Sequence, residues 1–305
     1  MNPVLFKIGD FTVAWYGVLM TAGIALGAYI AQKLAAKRGL DSRLMGDLAF
    51  WAIVWGVIGA RLAFVILTPE AFHNPTLLDY INIRNGGLSV HGALIAGMFV
   101  GLYYKFRYRL DFYRYGDLFA PMFGLGIVGG RLGNIMNGSD TPGRVTGWPI
   151  GFQWPETAKG FHDSLCNPNA PENLIQYCVN GIVTAPVHFT QLYGVFIGLA
   201  IFGASFLWLR SKRPGWTFWQ AILWYSLLRA GIEETFRLNP LMIDVYLSEG
   251  PGKPGIGLFT TTQVISIPIV LVSVAMLFII ARRPTQPHPI ESKPIESNPS
   301  TVGVA

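Results

Sequence analysis

The sequence predicts an all-α integral membrane protein with seven transmembrane helices and a small extracytoplasmic head region between the fourth and the fifth. Three observations carry that expectation. Hydrophobic residues make up 51% of the chain, charged residues only 13%, and mean hydropathy is +0.41, a balance that excludes a soluble enzyme with a large core. Apolar runs of bilayer-crossing length, roughly 17–25 residues, recur at about 14–32, 45–67, 88–104, 117–137, 189–209, 216–235 and 260–281. Basic residues are dense in every second connection and sparse in the others, the pattern of the positive-inside bias.

The first span follows "MNPVLFKIGDFTV", which lacks the charged start, short apolar core and cleavage site of a leader, so that span is read as retained. The basic connections contain Lys33, Lys37, Arg38 and Arg43, then Lys105, Arg107, Arg109 and Arg114, then the "RSKR" of 210–213, and finally Arg282, Arg283 and Lys293. The other side holds Lys7, Arg84, Arg144, Lys159, Arg237 and Lys253. The bias therefore places the N-terminus outside and the C-terminus in the cytoplasm. It also accounts for the net charge of +6, so nucleic acid is not an expected partner.

The loop from about 138 to 188 is polar and rich in Pro, Gly and Asn, as expected of an external head. It carries both cysteines, Cys166 and Cys178, on the oxidising side. A disulfide is expected there, against the alternative of two free thiols; zinc would lack its remaining ligands. Residues 1–281 thus form the transmembrane domain. The tail, 282–305, repeats "PIES" in a Pro/Ser-rich context and is expected to be disordered and cytoplasmic.

Three of the 23 basic residues fall inside spans: Arg61, Arg131 and Arg229. Each lies about six residues from the outer end of its span, or ~9 Å at 1.5 Å per residue. An intramembrane arginine costs at least a few kcal/mol unless it faces a protein interior or wet cavity with a partner. Two kinds of partner fit. The internal acids are Glu233 and Glu234, one turn beyond Arg229, and Asp140 just past the fourth span. The external candidate is a phosphate, which suits the guanidinium fork, and at outer-leaflet depth that means a phospholipid headgroup.

Other polar residues share this level. His91 in "GGLSVHGALIAG" lies at the outer end of the third span and is the candidate general base, although a lone interfacial histidine is more often structural. Tyr16 lies near the outer end of the first span. Asn134 and Asn137 share the Arg131 side if the helix continues, and Gly129, Gly130 and Gly133 clear that face, for helix packing or for a ligand.

The segments "GARLAFVIL", "GGLSVHGALIAG", "GGRLGNIMNG", "HFTQLYG" and "RAGIEETFR", in this order, resemble the prolipoprotein diacylglyceryl transferases of bacteria from Tyr16 to about residue 281. "GRLGN..N" is the most specific element and "GGLSxHG" the next most specific. The resemblance implies a multi-pass enzyme of the bacterial cytoplasmic (inner) membrane. Its partners would be phosphatidylglycerol and the signal-peptide lipobox of a prolipoprotein, within the membrane lipids. It would move the diacylglyceryl group to the lipobox cysteine thiol and release glycerol phosphate, the first step of lipoprotein modification. The family's important positions fall on Tyr16, His91, Arg131, Asn134, Gly143 and Arg229. No cofactor and no metal enter this expectation.

The chain departs from the family in three places. Ser139 and Asp140 stand where a glutamate is usual, and Gly194 stands where "HPSQLYE" ends in an acid. Arg229 and Arg237 are eight apart, one more than the family's spacing, so either Glu233 or Glu234 is the family's acid. The competing classes are a non-catalytic lipid-binding homologue, suggested by Gly194, and an anionic-lipid transporter or flippase. The latter predicts inverted repeats and charges reachable from both faces.

Overall fold

The computed structural model describes residues 2–9, 11–69, 72, 76–81, 87–138, 141–155, 157–158, 178–179, 182–183, 185–239, 241–246 and 257–285. In chain order these form β1 (Val4–Ile8), β2 (Phe11–Ala14), α1 (Trp15–Lys37), α2 (Ser42–Leu67), α3 (Leu77–Ile81), α4 (Val90–Tyr108) and α5 (Phe112–Asn137). There follow β3 (Cys178–Val179), β4 (Ile182–Val183), α6 (Thr190–Trp208), α7 (Trp216–Leu228), β5 (Leu241–Tyr246), β6 (Gly257–Thr260) and α8 (Thr261–Ala281). Among them α1, α2, α5, α6 and α8 are long and apolar enough to cross a membrane. The protein is mostly helical, and this repetition makes it a multi-pass membrane protein. Cys166 and the tail beyond residue 285 lie outside the described residues.

Two compact units divide the chain: residues 31–116 with 285–305, and residues 1–30 with 117–284. In the first, α2 packs along α4. Their backbones meet at Gly59 and Gly92, where a Cβ on Gly92 would lie 2.2 Å from the Gly59 carbonyl oxygen. Small residues permit such approach in helices that have no hydrophobic force to press them together in lipid. The Asp41 carboxylate caps α2, accepting from the N–H groups of Arg43 and Leu44 at 2.8 and 3.1 Å.

In the second unit α1 lies against α5 through Gly23, Gly27, Gly129 and Gly133, whose added Cβ atoms would come within 2.5–2.7 Å of the facing helix. Gly124 and Gly198 do the same for α5 and α6. α7 packs on α6 and α8. Its amino end is held by Asp117, 5% exposed, whose carboxylate accepts from Gly215 N at 2.9 Å and Phe218 N at 2.8 Å. An anion at a helix start complements the dipole and satisfies orphan N–H groups, worth about 0.5–2 kcal/mol.

Two features depart from the expected simple spans. Antiparallel hairpins, β1–β2 and β5–β6, lead directly into α1 and α8. The run expected as one helix over 216–235 stops being α-helical after Leu228, continues as a π-helical turn over Arg229–Glu233 and ends in a 3₁₀ turn over Glu234–Phe236. A single extra residue in a helix is accommodated in this way, and such bulges cluster at functional sites. The eight-residue spacing of Arg229 and Arg237 has its physical form here.

Candidate active site

The π turn matters because of where it aims side chains. In an α-helix residue i+5 lies roughly 140° round from residue i. Here the N–H of Glu234 donates to the carbonyl of Arg229, the i to i+5 bond that brings the fifth residue back under the first. Both acids of "EE" therefore reach one arginine: Arg229 Nη1 pairs with Glu233 Oε1, and Arg229 Nη2 lies 3.4 Å from Glu234 Oε2.

Turn carbonyls displaced from the regular ladder find other donors. Thr235 Oγ1 donates to the carbonyls of Ala230 and Gly231 at 3.2 and 3.0 Å, and Gln263 Nε2 donates to Ala230 O at 2.9 Å. Gln263 is fixed in turn by the capping box it forms with Thr260 at the start of α8. Just before that cap, Phe259 has φ +65°, a left-handed conformation rare for a bulky residue.

Glu233 is the hub. One of its oxygens, Oε1, also meets Arg131 Nη2 and Arg237 Nη1, at 2.8 and 2.9 Å. Three guanidinium groups thus converge on a carboxylate that is 1% exposed. With Glu234 included, three formal positive charges face two negative ones in the ion pairs among the described residues. Arg237 is 3% exposed, whereas Arg131 and Arg229 keep 14% and 15% of their side chains accessible. These two have an outward edge.

Arg131 reaches Glu233 along a path cleared by Gly194: a Cβ there would lie 2.7–2.9 Å from the arginine's Nε, Cδ and Cγ. The missing acid at 194 is replaced by room for the Arg131 stem. α5 runs unbroken to Asn137, so Arg131, Asn134 and Asn137 are spaced along one helix as the sequence requires. The Oδ1 of Asn137 is buried and accepts no hydrogen bond among the described residues. Tyr16 lies over Gly133, where a Cβ would be 2.7 Å from its ring.

Arg131 and Arg229 have internal partners, so their burial does not by itself require a phosphate. Arg61, in the unit formed by residues 31–116, donates to the carbonyls of Asp79, Tyr80 and Gly87 at 2.7–2.9 Å and lies over the rings of Phe64 and Phe72, so it ties α3 and Gly87 to α2. Gly143 forms a backbone bridge to Arg237, and a Cβ there would be 1.8 Å from the His188 carbonyl oxygen, so glycine is needed for close chain approach. His91 lies in the first turn of α4; its side chain, like Asp140, is outside the described set.

Sequence reasoning missed Arg144 and Arg237, counted as loop charges, yet they are 2% and 3% exposed. It also missed His188, fully buried beneath Trp148 and Phe236 with Nδ1 3.1 Å from the Tyr193 hydroxyl. Burial lowers the His188 pKa from 6.5 to about 4, so the ring is neutral near pH 7. The detectable signal was local only for Arg237, four residues after Glu233 and thus on its helix face.

A family model described as prolipoprotein diacylglyceryl transferase matches residues 3–279. Among relatives named phosphatidylglycerol–prolipoprotein diacylglyceryl transferase, that of Deinococcus radiodurans is 54% identical over 293 residues, covering 93% of this chain and 86% of the relative. That of Thermus thermophilus is 46% identical over 276 residues, with 90% and 96% covered. A Bacillus cytotoxicus relative of the same name is 30% identical over 288 residues, with 93% of each chain covered. With a model match over nearly its whole length and relatives this similar, the chain belongs to the prolipoprotein diacylglyceryl transferase family.

Proposed function

We propose that this protein transfers the diacylglyceryl group of phosphatidylglycerol to the lipobox cysteine of prolipoproteins, in the bacterial inner membrane. The observation that carries the site assignment is the convergence of Arg131, Arg229 and Arg237 on Glu233, with the first two still accessible. A buried carboxylate that holds several guanidinium groups in place preorganises positive charge, and the surplus is available to an anionic headgroup. α4 and the α7 segment with its π turn complete seven spans, the N-terminus faces outward, and residues from about 138 to 188 form the external head.

In the reaction the cysteine sulfur attacks the glycerol carbon bonded to the phosphate oxygen. A C–S bond forms, the C–O bond breaks, and the electron pair leaves with glycerol phosphate. Negative charge grows on the leaving oxygen. Arg131 grips the phosphate and Arg229 meets that charge; loss of one such donor typically costs about 10²–10³ in rate. A free thiol has a pKa of about 8.5, so a base is needed near neutrality, and His91 is assigned to take the proton. Tyr16, Asn134, Asn137, Gly143 and Asp140 shape the surrounding lipid site.

The deciding assay incubates the full chain with phosphatidylglycerol vesicles and a lipobox peptide, followed by mass spectrometry. Peptide gaining a diacylglyceryl thioether is the expected result. Lipid binding without product would identify a non-catalytic homologue, and lipid translocation without product a flippase.

A further inference from the structure

One acid of the cluster has no part in this chemistry. Glu234 is completely buried. Its Oε2 faces Arg229, and its Oε1 accepts from Asn239 Nδ2. Asn239 Oδ1 accepts from Thr141 Oγ1 at 2.9 Å, and the Thr141 carbonyl accepts from Gln191 Nε2 at 3.1 Å. Gln191 is itself fully buried. A continuous polar chain therefore runs from Arg229 to the segment that follows the Arg131 helix.

The main chain makes the same junction. Arg144 N donates to Phe236 O at 2.8 Å, and Leu238 N donates to Pro142 O at 2.9 Å. Thr141–Arg144 is thus attached, by side chain and backbone together, to the residues just beyond the π turn. Glu234 joins the π turn to the side-chain attachment: it is the acid the turn swings beneath Arg229 and the acceptor that fixes Asn239.

We propose that Glu234 is a positioning residue for diacylglyceryl transfer, which orients Arg229 and clamps the Thr141–Arg144 segment through Asn239 and Thr141. The proposal rests on the reading of Arg229 as a phosphate-facing group. Its action is on geometry, because a fully buried carboxylate makes no contact with lipid, and a displacement of about 1 Å at a reacting group can cost about 10²-fold in rate.

The test uses Glu234→Gln and Asn239→Ala in the full chain, in phosphatidylglycerol nanodiscs. Glu234→Gln retains size and an acceptor for Asn239 but drops the charge facing Arg229. Its kcat falls about 10- to 100-fold while KM for phosphatidylglycerol stays within about threefold. Asn239→Ala leaves the Glu234–Arg229 pair and lowers kcat about tenfold at most. In the double variant the losses are not additive, as expected of one network. Hydrogen exchange at the Arg144 and Leu238 amides speeds up in Asn239→Ala.

Unchanged kcat in both single variants overturns the proposal, and so does a loss of product that only tracks loss of folded protein in thermal unfolding. Unaltered exchange at both amides removes the clamp. If the parent protein makes no thioether at all, the transferase reading fails, and the exchange experiment alone still decides whether Glu234 and Asn239 hold the segment.

Discussion

Gly194→Ala tests how tightly the site is built. The new methyl group would sit 2.7, 2.8 and 2.9 Å from Nε, Cδ and Cγ of Arg131. Carbon contacts settle near 3.5–4.0 Å, so the arginine stem must retreat by about 1 Å. Glycine's neighbours on α6 offer the methyl group no alternative, because its direction is set by the helix backbone. The Arg131–Glu233 contact, 2.8 Å in the parent, then opens to roughly 3.8 Å, past hydrogen-bonding range. Two effects follow, an overpacking cost of about 1–3 kcal/mol and a fall in kcat of about 10²-fold from misplacing a charge-stabilising group. Initial rates of thioether formation against phosphatidylglycerol concentration, with thermal unfolding in the same lipid, measure both. A variant with kcat and KM within twofold of the parent would refute the claim that the glycine exists to seat Arg131.

Glu233→Gln leaves three guanidinium groups around a neutral amide; breaking a buried ion pair typically costs about 3–5 kcal/mol, and a thermal unfolding curve unchanged from the parent would show that Glu233 is not the hub. His91→Gln is expected to abolish thioether formation while phosphatidylglycerol still binds, and a near-normal rate would remove His91 from the mechanism. The depressed pKa of His188 means that the fold favours its neutral ring. Its contribution is complete above about pH 6.5 and is lost as the pH falls toward 4, a decline on the order of 2–3 kcal/mol. Melting temperature followed from pH 7 to pH 4 checks this, and His188→Gln should flatten the profile; an equally steep decline in that variant assigns the acid sensitivity elsewhere.

The parts of the molecule legible in sequence are those set by local composition. Hydropathy is a running sum, so it located α1, α2, α5, α6 and α8 to within a few residues, and it marked Arg131 and Arg229 because a charge in an apolar run stands out. The same sum hid Arg144 and Arg237. Both read as loop charges; Arg144 is buried by a distant partner, since Gly257 of β6 lies against its guanidinium, whereas Arg237 pairs with Glu233 only four residues before it. Gly194 misled in the opposite sense. In sequence it is an absent acid, whereas in space it is an occupied gap, and only the position of Arg131 distinguishes the two.

The π turn shows why spacing alone left the choice between Glu233 and Glu234 open. A uniform helix turns about 100° per residue, which places the eighth residue after Arg229 some 80° away from it. The bulge absorbs one residue, and Arg237 follows the 3₁₀ turn in an extended conformation. Arg229 and Arg237, each four residues from Glu233, share its Oε1. The bulge simultaneously turns Glu234 inward, so both acids lie against Arg229. One acid gathers the arginines and the other ties the turn to Thr141. No periodicity rule anticipates this, because every such rule assumes the constant rotation that the bulge breaks. Thr235 and Gln263 supply donors to the carbonyls it displaces, which lowers the cost of leaving the regular ladder.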